Sequence, residues 1–399
     1  MLKIPKSLFL FFSILSFLFI TSCIQNNEPI IIEHLVVHQE DGYFMGWPAN
    51  NGVWMWEDGE IMVGFTRGPF MGKEGHDVEP PYQSWLARSK DGGHTWKSFI
   101  PEGFVNAYDP AGLSGDSMLA MKELTEPLDF KNVNFALRMV GNGYLQPDVS
   151  EGGFYYSYDR GGSWDGPFSL KGLSQTVELE GMDLTPRTDY IVESADSALL
   201  FLSARNKGFG SDKSFVARTT DGGLTFKFIG WIADPKDPYR AVMPSTVRTS
   251  SGKLITALRR KNIGIDPYCW IEVFASDDNG VNWKFLSRAG ETGWANGNPP
   301  AMIQLSDGRL LLAYGNREHR LVIARFSSDE GGIWGPEIML REGIDQDFGY
   351  PRLVQNLEGN IVSIYYCAES PTSEKYIEAT IWNPGNADKW GKPIDISSK

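Results

Sequence analysis

The feature that most restricts how this chain can fold is an eight-residue pattern, Ser/Thr-x-Asp-x-Gly-x-x-Trp/Phe, that occurs five times. The copies are Ser89–Trp96, Ser157–Trp164, Thr219–Phe226, Ser276–Trp283 and Ser327–Trp334, starting 68, 62, 57 and 51 residues apart. The chemistry within a copy is local. An Asp carboxylate accepts hydrogen bonds from turn amides, Gly permits positive φ, and the terminal aromatic covers the turn. Each copy therefore marks a strand, a turn and a returning strand, and its aspartate reads as a turn residue rather than as an acid catalyst or metal ligand.

A second periodicity runs between the copies. Proline-led strands start at Pro48, Pro186, Pro244, Pro300 and Pro351, and each reaches a small turn (Asp58-Gly59, Asp196-Ser197, Ser251-Gly252, Asp307-Gly308, Glu358-Gly359) before an apolar strand such as Leu310–Ala313. These are hairpins of strands A and B, with the eight-residue turn joining strands C and D. The 138 residues from Pro48 to Pro186 hold the extra copy at Ser157, so another unit lies there, its first strands expected around Ser117–Leu124 and Phe135–Val140. A sixth unit has Tyr376–Trp382 as strand C and a degenerate turn before Trp390. The segment Ile30–Val37 reads as one more strand, added to the last unit. With 13 Trp, 15 Tyr, 23 Phe and 43 Gly, the composition suits short aromatic strands joined by glycine turns. The expected fold is all-β, a six-bladed β-propeller of four-stranded antiparallel blades.

The first residues read as a leader. Lys3 and Lys6 precede an apolar run, Leu8–Ile20, of signal-peptide length and too short to span a bilayer comfortably. Ile20-Thr21-Ser22-Cys23 resembles a bacterial lipobox, which implies cleavage before Cys23 and lipidation there. The expected organisation is a signal peptide over 1–22, a lipidated N-terminus with linker and closing strand over 23–39, and the propeller over 40–399, held in the bacterial cell envelope by the lipid anchor alone. Cys269 and Cys367 fall two blades apart, so they are expected to be buried thiols rather than a disulfide. A net charge of −13 with no basic run beyond the leader argues against nucleic acid or anionic headgroups as partners.

Alternating strand direction puts the A–B turns and the eight-residue turns on one face. The opposite face collects the starts of A strands and the ends of B strands, where a binding site at the mouth of the channel is expected. Arg67, Arg205, Arg259, Arg260, Arg317 and Arg320 fall near B-strand ends there, and Trp47, Asn50, Asn51, Arg187, Asp189, Arg240, Asn298, Tyr350 and Arg352 near A-strand starts. So many arginines at equivalent positions of an acidic protein point to an anionic ligand, since guanidinium forks match carboxylates. Acidic candidates on that face are Asp77, Glu79, Glu291, Asp347 and Glu369.

The eight-residue repeats are similar to Asp boxes, and residues 40–395 resemble the sialidase group of glycoside hydrolases. In that family a tyrosine at the start of the last A strand is the nucleophile, a glutamate activates it, an aspartate in blade one is the acid/base, and three arginines bind the sugar carboxylate. The resemblance puts Tyr350, within Phe348-Gly349-Tyr350-Pro351-Arg352, in the nucleophile's place, Arg259 and Arg317 or Arg320 among the carboxylate ligands, and Asp77 as acid/base. Two departures stand out. Gly46-Trp47-Pro48 replaces the family's Arg-Ile-Pro, leaving Arg67 as the substitute, and no glutamate occurs around Val242–Ser245, leaving Glu291 or Asp347 to activate the tyrosine. His76 is a further acid/base candidate. The leading expectation is an exo-acting hydrolase that removes a terminal sialic or uronic acid, with Trp47, Asn50, Arg187, Arg205 and Arg352 also contacting substrate and with no cofactor or metal. A glycan-binding propeller and a polysaccharide lyase using His76 and a tyrosine are the alternatives.

Overall fold

The computed structural model describes residues 29–72, 77–104, 121–141, 152–206, 211–262, 264, 266–294, 296–343 and 345–386. They form six antiparallel sheets that follow one another around an axis. Blade four is a complete example, with Arg240–Arg248, Leu254–Lys261, Tyr268–Ser276 and Lys284–Trp294 as strands A to D. Blade six takes three strands from the C-terminal end, Gly349–Gln355, Ile361–Ala368 and Lys375–Asn383. Its fourth is the N-terminal strand Ile30–His38, which pairs with Lys375–Asn383 from Ile30 opposite Asn383 to His38 opposite Ile377. The two ends of the chain thus close the ring in one sheet, as the sequence pattern predicts.

Each Asp box lies between strands C and D and is built as its residues dictate. In the first, Ser89 Oγ donates to Asp91 Oδ1 at 2.8 Å and accepts the Gly93 N–H at 2.9 Å, Thr95 N–H donates to Asp91 Oδ1 at 2.9 Å, and the Trp96 indole donates to Gly93 O at 2.7 Å. The same bond from the glycine amide to the leading hydroxyl recurs at Gly161, Gly223, Gly280 and Gly331. The five aspartates are consumed in holding turns.

The core is divided among the interfaces between blades. Val216 and Phe201 of blade three pack with Leu254 and Leu258 of blade four, Ile271 and Val273 of blade four with Leu312 and Ile323 of blade five, and Phe65 of blade one with Ile377 and Ala379 of blade six. Full burial of one such side chain contributes roughly 1.5–3 kcal/mol. Strands B and C, buried on both faces, read as apolar runs for this reason. Cys269 and Cys367 are buried free thiols.

Two expectations about strands need correction. The prolines do not begin the A strands of blades one, three, four and six but interrupt them. Blade one's A strand is Tyr43–Gly46 and Val53–Met55, separated by a one-turn helix, Pro48–Asn51, with both pieces paired to Ile61–Pro69. Blade three's is Met182–Leu184 and Tyr190–Val192, split around Pro186. A residue without an N–H cannot complete the ladder, so the strand breaks or bulges where it falls. In blade two the described sheet has three strands, Ala136–Val140, Gly153–Ser157 and Asp165–Ser169. The first matches the expected Phe135–Val140, whereas Lys122 only bridges Phe168 at the outer edge, and residues 105–120 lie outside those described. The inner edge of Ala136–Val140 is served by blade three, where the Tyr190 hydroxyl accepts from Leu137 N–H and the Thr188 hydroxyl from Met139 N–H.

Candidate functional site

The breaks in the A strands aim side chains at the mouth of the channel. Trp47, Met243 and Tyr350 each precede a proline and have φ of 60°, 57° and 51°. A residue before proline is normally extended, and the left-handed region is costly for a side chain of this size, on the order of 1–3 kcal/mol. In blades four and six the strain coincides with register breaks between Val242 and Ser245 and between Gly349 and Arg352. All three side chains line one cavity of about 410 Å³. At Tyr350 the conformation is held from outside, since Asn298 Oδ1 accepts the Tyr350 N–H at 2.7 Å. Its neighbour Gly349, at φ 95°, approaches Asn298 so closely that any side chain would collide with it.

Tyr350 is the only phenol in the cavity with a guanidinium on its oxygen among the described contacts: Arg259 Nη1 donates to Tyr350 Oη at 3.1 Å. The Tyr350 ring contacts that of Tyr366 at 5.9 Å between centroids, and the Tyr366 hydroxyl donates to Asp347 Oδ1 at 2.6 Å. Arg317 meets the same carboxylate at 3.3 Å. Burial and then the Asp347 charge push the Tyr366 phenol well above its ordinary range, so it stays a proton donor. Tyr350 therefore stands on a buried layer of tyrosine, aspartate and arginine, with Arg259 beside its oxygen.

The rest of the lining is basic and aromatic. Arg138, Arg187, Arg240 and Arg259 contribute guanidiniums, and Trp47, Tyr82 and Phe104 contribute ring faces or edges. No aspartate or glutamate is among the described residues that line it. Arg240 Nε donates to Asp212 Oδ2 at 2.5 Å, and Arg187 Nε to Asn50 Oδ1 at 3.0 Å.

The cavity brings together Tyr350, Arg259, Arg187, Arg240, Trp47, Asn50 and Asn51 of the residues expected on this face. Arg67, Arg205, Arg317 and Arg352 are engaged elsewhere. Arg67 forks onto Glu40 at 2.8 and 2.5 Å and lies 3.3 Å over the Tyr43 ring. Arg205 is buried in blade three, opposite Asp183 and Asp212 on the flanking strands. Arg317 is beneath the cavity on Asp347, and Arg352 deeper still, donating to the Ala49 and Thr188 carbonyls at 2.6 and 2.8 Å. Glu291 is on the outer strand of blade four, paired with Arg288 at 2.6 Å, away from Tyr350's surroundings. Asp77 is buried next to Val78, which lines the cavity, but its own carboxyl does not. His76 lies outside the described residues. Sequence reasoning missed Arg138, although an arginine alone within the apolar strand Ala136–Val140 was a signal that could have found it.

A second cavity of about 360 Å³ is lined by residues nearer the Asp-box end of the A strands, among them Trp54, Tyr190, Ser245, Asp189 and Arg352. Burial raises the Asp189 carboxyl to about 7, against the opposing charge of Arg352.

A family model described as a BNR repeat-like domain matches residues 140–363, more than half of the chain. Comparison with curated proteins finds no match. Among solved structures, a Dyadobacter fermentans protein of unknown function superposes with a TM-score of 0.66 at 21% identity, covering 89% of this chain and 99% of that one. A Hadza microbial sialidase gives 0.59 at 15% identity, over 85% of this chain and 65% of its own. A Penicillium chrysogenum α-L-arabinanase complexed with arabinobiose gives 0.56 at 12% identity, over 88% and 98%. At these identities the likeness concerns the fold, which glycoside hydrolases share with this chain. From the matched family model and the repeats it spans, the chain belongs to the BNR repeat-like domain family.

Proposed function

We propose that this protein is a glycoside hydrolase that removes a terminal acidic sugar, a sialic or uronic acid, with Tyr350 as its nucleophile. The observation that carries this reading is the strained Tyr350 in a cavity lined by four arginines, with Arg259 donating to its oxygen at 3.1 Å. A guanidinium in that position favours negative charge on the phenol oxygen as its proton leaves. Attack on the anomeric carbon forms the bond from tyrosine oxygen to sugar carbon while the bond to the leaving group breaks and that group takes up a proton. Water then releases the sugar. The resemblance in fold to a sialidase and an arabinanase supports hydrolysis, and the arginines support an anionic sugar. We also propose that Cys23 carries a lipid that holds the protein in the bacterial cell envelope.

One observation favours a second reading. Among the described lining residues no carboxyl group is present to protonate the leaving group, which suits a propeller that binds acidic glycans without cleaving them. Incubating the purified protein with sialylated and uronate-containing glycans separates the two. Release of a free acidic monosaccharide supports hydrolysis, and specific binding without release supports the binder. For the hydrolase, Tyr350→Phe lowers kcat by at least about 10³-fold and leaves ligand affinity within about 3-fold. Undiminished turnover in that variant would remove Tyr350 from the chemistry.

A further inference from the structure

Arg138 is the most deeply buried arginine of the cavity lining. It sits in the middle of Ala136–Val140, a strand with every residue buried, and is itself 1% exposed, yet its side chain forms part of the cavity lining. Its guanidinium lies 3.9 Å over the Phe104 ring. Nη2 donates to Asn51 Oδ1 and, at 3.2 Å, to Ser84 Oγ, and Nη1 is buried with no hydrogen-bond partner among the described residues. These neighbours are an amide, a hydroxyl and a ring. The acids that engage Arg240 in the lining and Arg317 beneath it, Asp212 and Asp347, have no counterpart here among the described residues.

A guanidinium withdrawn from water without a countercharge is expensive to keep ionised, and burial pulls Arg138 down to about 9. Such a group is stabilised by any anion that enters beside it, because charge pairs in a desolvated site interact more strongly than in water. Its surroundings are also held in place. The one-turn helix Pro48–Asn51 presents Asn51 to Arg138 and Asn50 to Arg187, and Arg352 holds that helix by the Ala49 carbonyl. Two arginines from blades two and three are thereby fixed around one helix, while Tyr350 and Arg259 belong to blades six and four.

We propose that Arg138, with Arg187, forms an oxyanion subsite of the cavity, separate from the Tyr350–Arg259 pair, and that Arg138 determines selection of a sugar bearing a carboxylate or a sulfate ester. This rests on the reading of the cavity as a glycan site and names the residue that reads the charge. Arg138 acts on binding, and the chemistry stays with Tyr350.

Titration calorimetry on the purified protein with glucuronic acid, glucose 6-sulfate and glucose tests it, because the three share a ring and differ in charge. At least one charged sugar binds more than about tenfold tighter than glucose, the expected worth of one charged hydrogen bond, and the tighter of the two identifies the anion. Arg138→Gln brings the charged sugars to within about 3-fold of glucose without changing glucose affinity, and Arg138→Lys restores part of the preference. Should Arg138→Gln not fold, Arg187→Gln and the wild-type comparison decide, with loss of preference expected in the former. The proposal is overturned by a wild-type protein that binds glucose as tightly as both acids, by absence of binding to all three, or by a folded Arg138→Gln that keeps the preference. Preference that depends on Arg138 without turnover of any glycan defeats only the hydrolase reading. Turnover of neutral glycosides without charge preference defeats the subsite and the acidic-sugar assignment and leaves hydrolysis by Tyr350 standing.

Discussion

In the lining of the second cavity, Arg352 and Asp189 are opposite charges, each with a buried side-chain atom, Nε and Oδ2, that has no hydrogen-bond partner among the described residues. Burial raises the Asp189 carboxyl to about 7, with the Arg352 charge and hydrogen bonds from Thr246 opposing the rise. An unfolded aspartate releases its proton near pH 4, so between about pH 4 and 7 the folded state binds the extra proton. Stability therefore falls as pH rises through that window, by up to about 1.4 kcal/mol per pH unit from this group, and levels off above it. Urea denaturation from pH 5 to 8 should show this slope in the wild type and its loss in Asp189→Asn; an equal slope in both would assign it to other groups. Arg352→Leu, which leaves Asp189 without its countercharge, should cost about 3–5 kcal/mol, and more at pH 8 than at pH 5. Only part of this was legible in the sequence. Blade arithmetic put the arginines on one face, but what separates Arg187 and Arg259 from Arg67, Arg317 and Arg352 is the partner each has met. Glu40, Asp347 and the Ala49 carbonyl come from other strands and loops, and pattern alone does not pair them.

At the scale of elements, the Asp boxes were readable because their physics is contained in eight residues. Asp159 shows the balance: burial works against its charge, but hydrogen bonds from the Ser163 amide and the Ser157 and Ser163 hydroxyls prevail and hold the carboxyl below its usual range. Asp159→Ala should cost about 1–3 kcal/mol in urea denaturation at pH 7. A carboxyl with a depressed folded pKa stabilises the native state above its unfolded value near 4, and that contribution is lost as pH falls through the folded value. The penalty should therefore shrink in acid, while glycan affinity stays unchanged, because the turn is at the end of the blade away from the cavity. Unaltered stability with lost binding would mean that the box serves the ligand instead of the turn. The A strands were less legible. Proline marks a place where the ladder cannot be completed, and sequence does not tell whether that place is the start of a strand or an interruption within it. The interruptions at Trp47, Met243 and Tyr350 are the ones that build the cavity mouth.

For the whole molecule, ring closure decides how an N-terminal tether would orient the site. The strand Ile30–His38 starts at the Asp-box end, where Ile30 pairs with Asn383 and Glu33 bonds His94 of the first Asp box, and it runs toward the face with the cavity. Between Cys23 and Ile30 stand six residues, which reach at most about 20 Å at roughly 3.4 Å each. A lipid on Cys23 would therefore hold the Asp-box face toward the bilayer and turn the arginine-lined cavity toward passing glycans. The net charge of −13 opposes closer adhesion to anionic headgroups. Cys269 and Cys367 are buried, so a fluorophore can be directed to one introduced thiol. In vesicles containing nitroxide-labelled lipid, a probe on Ser251→Cys, in an A–B turn, should be quenched more than one on Asn296→Cys beside the cavity. Cys23→Ser should move the protein from the membrane fraction to the soluble fraction. Retention of that variant in the membrane would reject the lipid at Cys23, whereas stronger quenching at Asn296→Cys would keep the anchor and reverse the orientation.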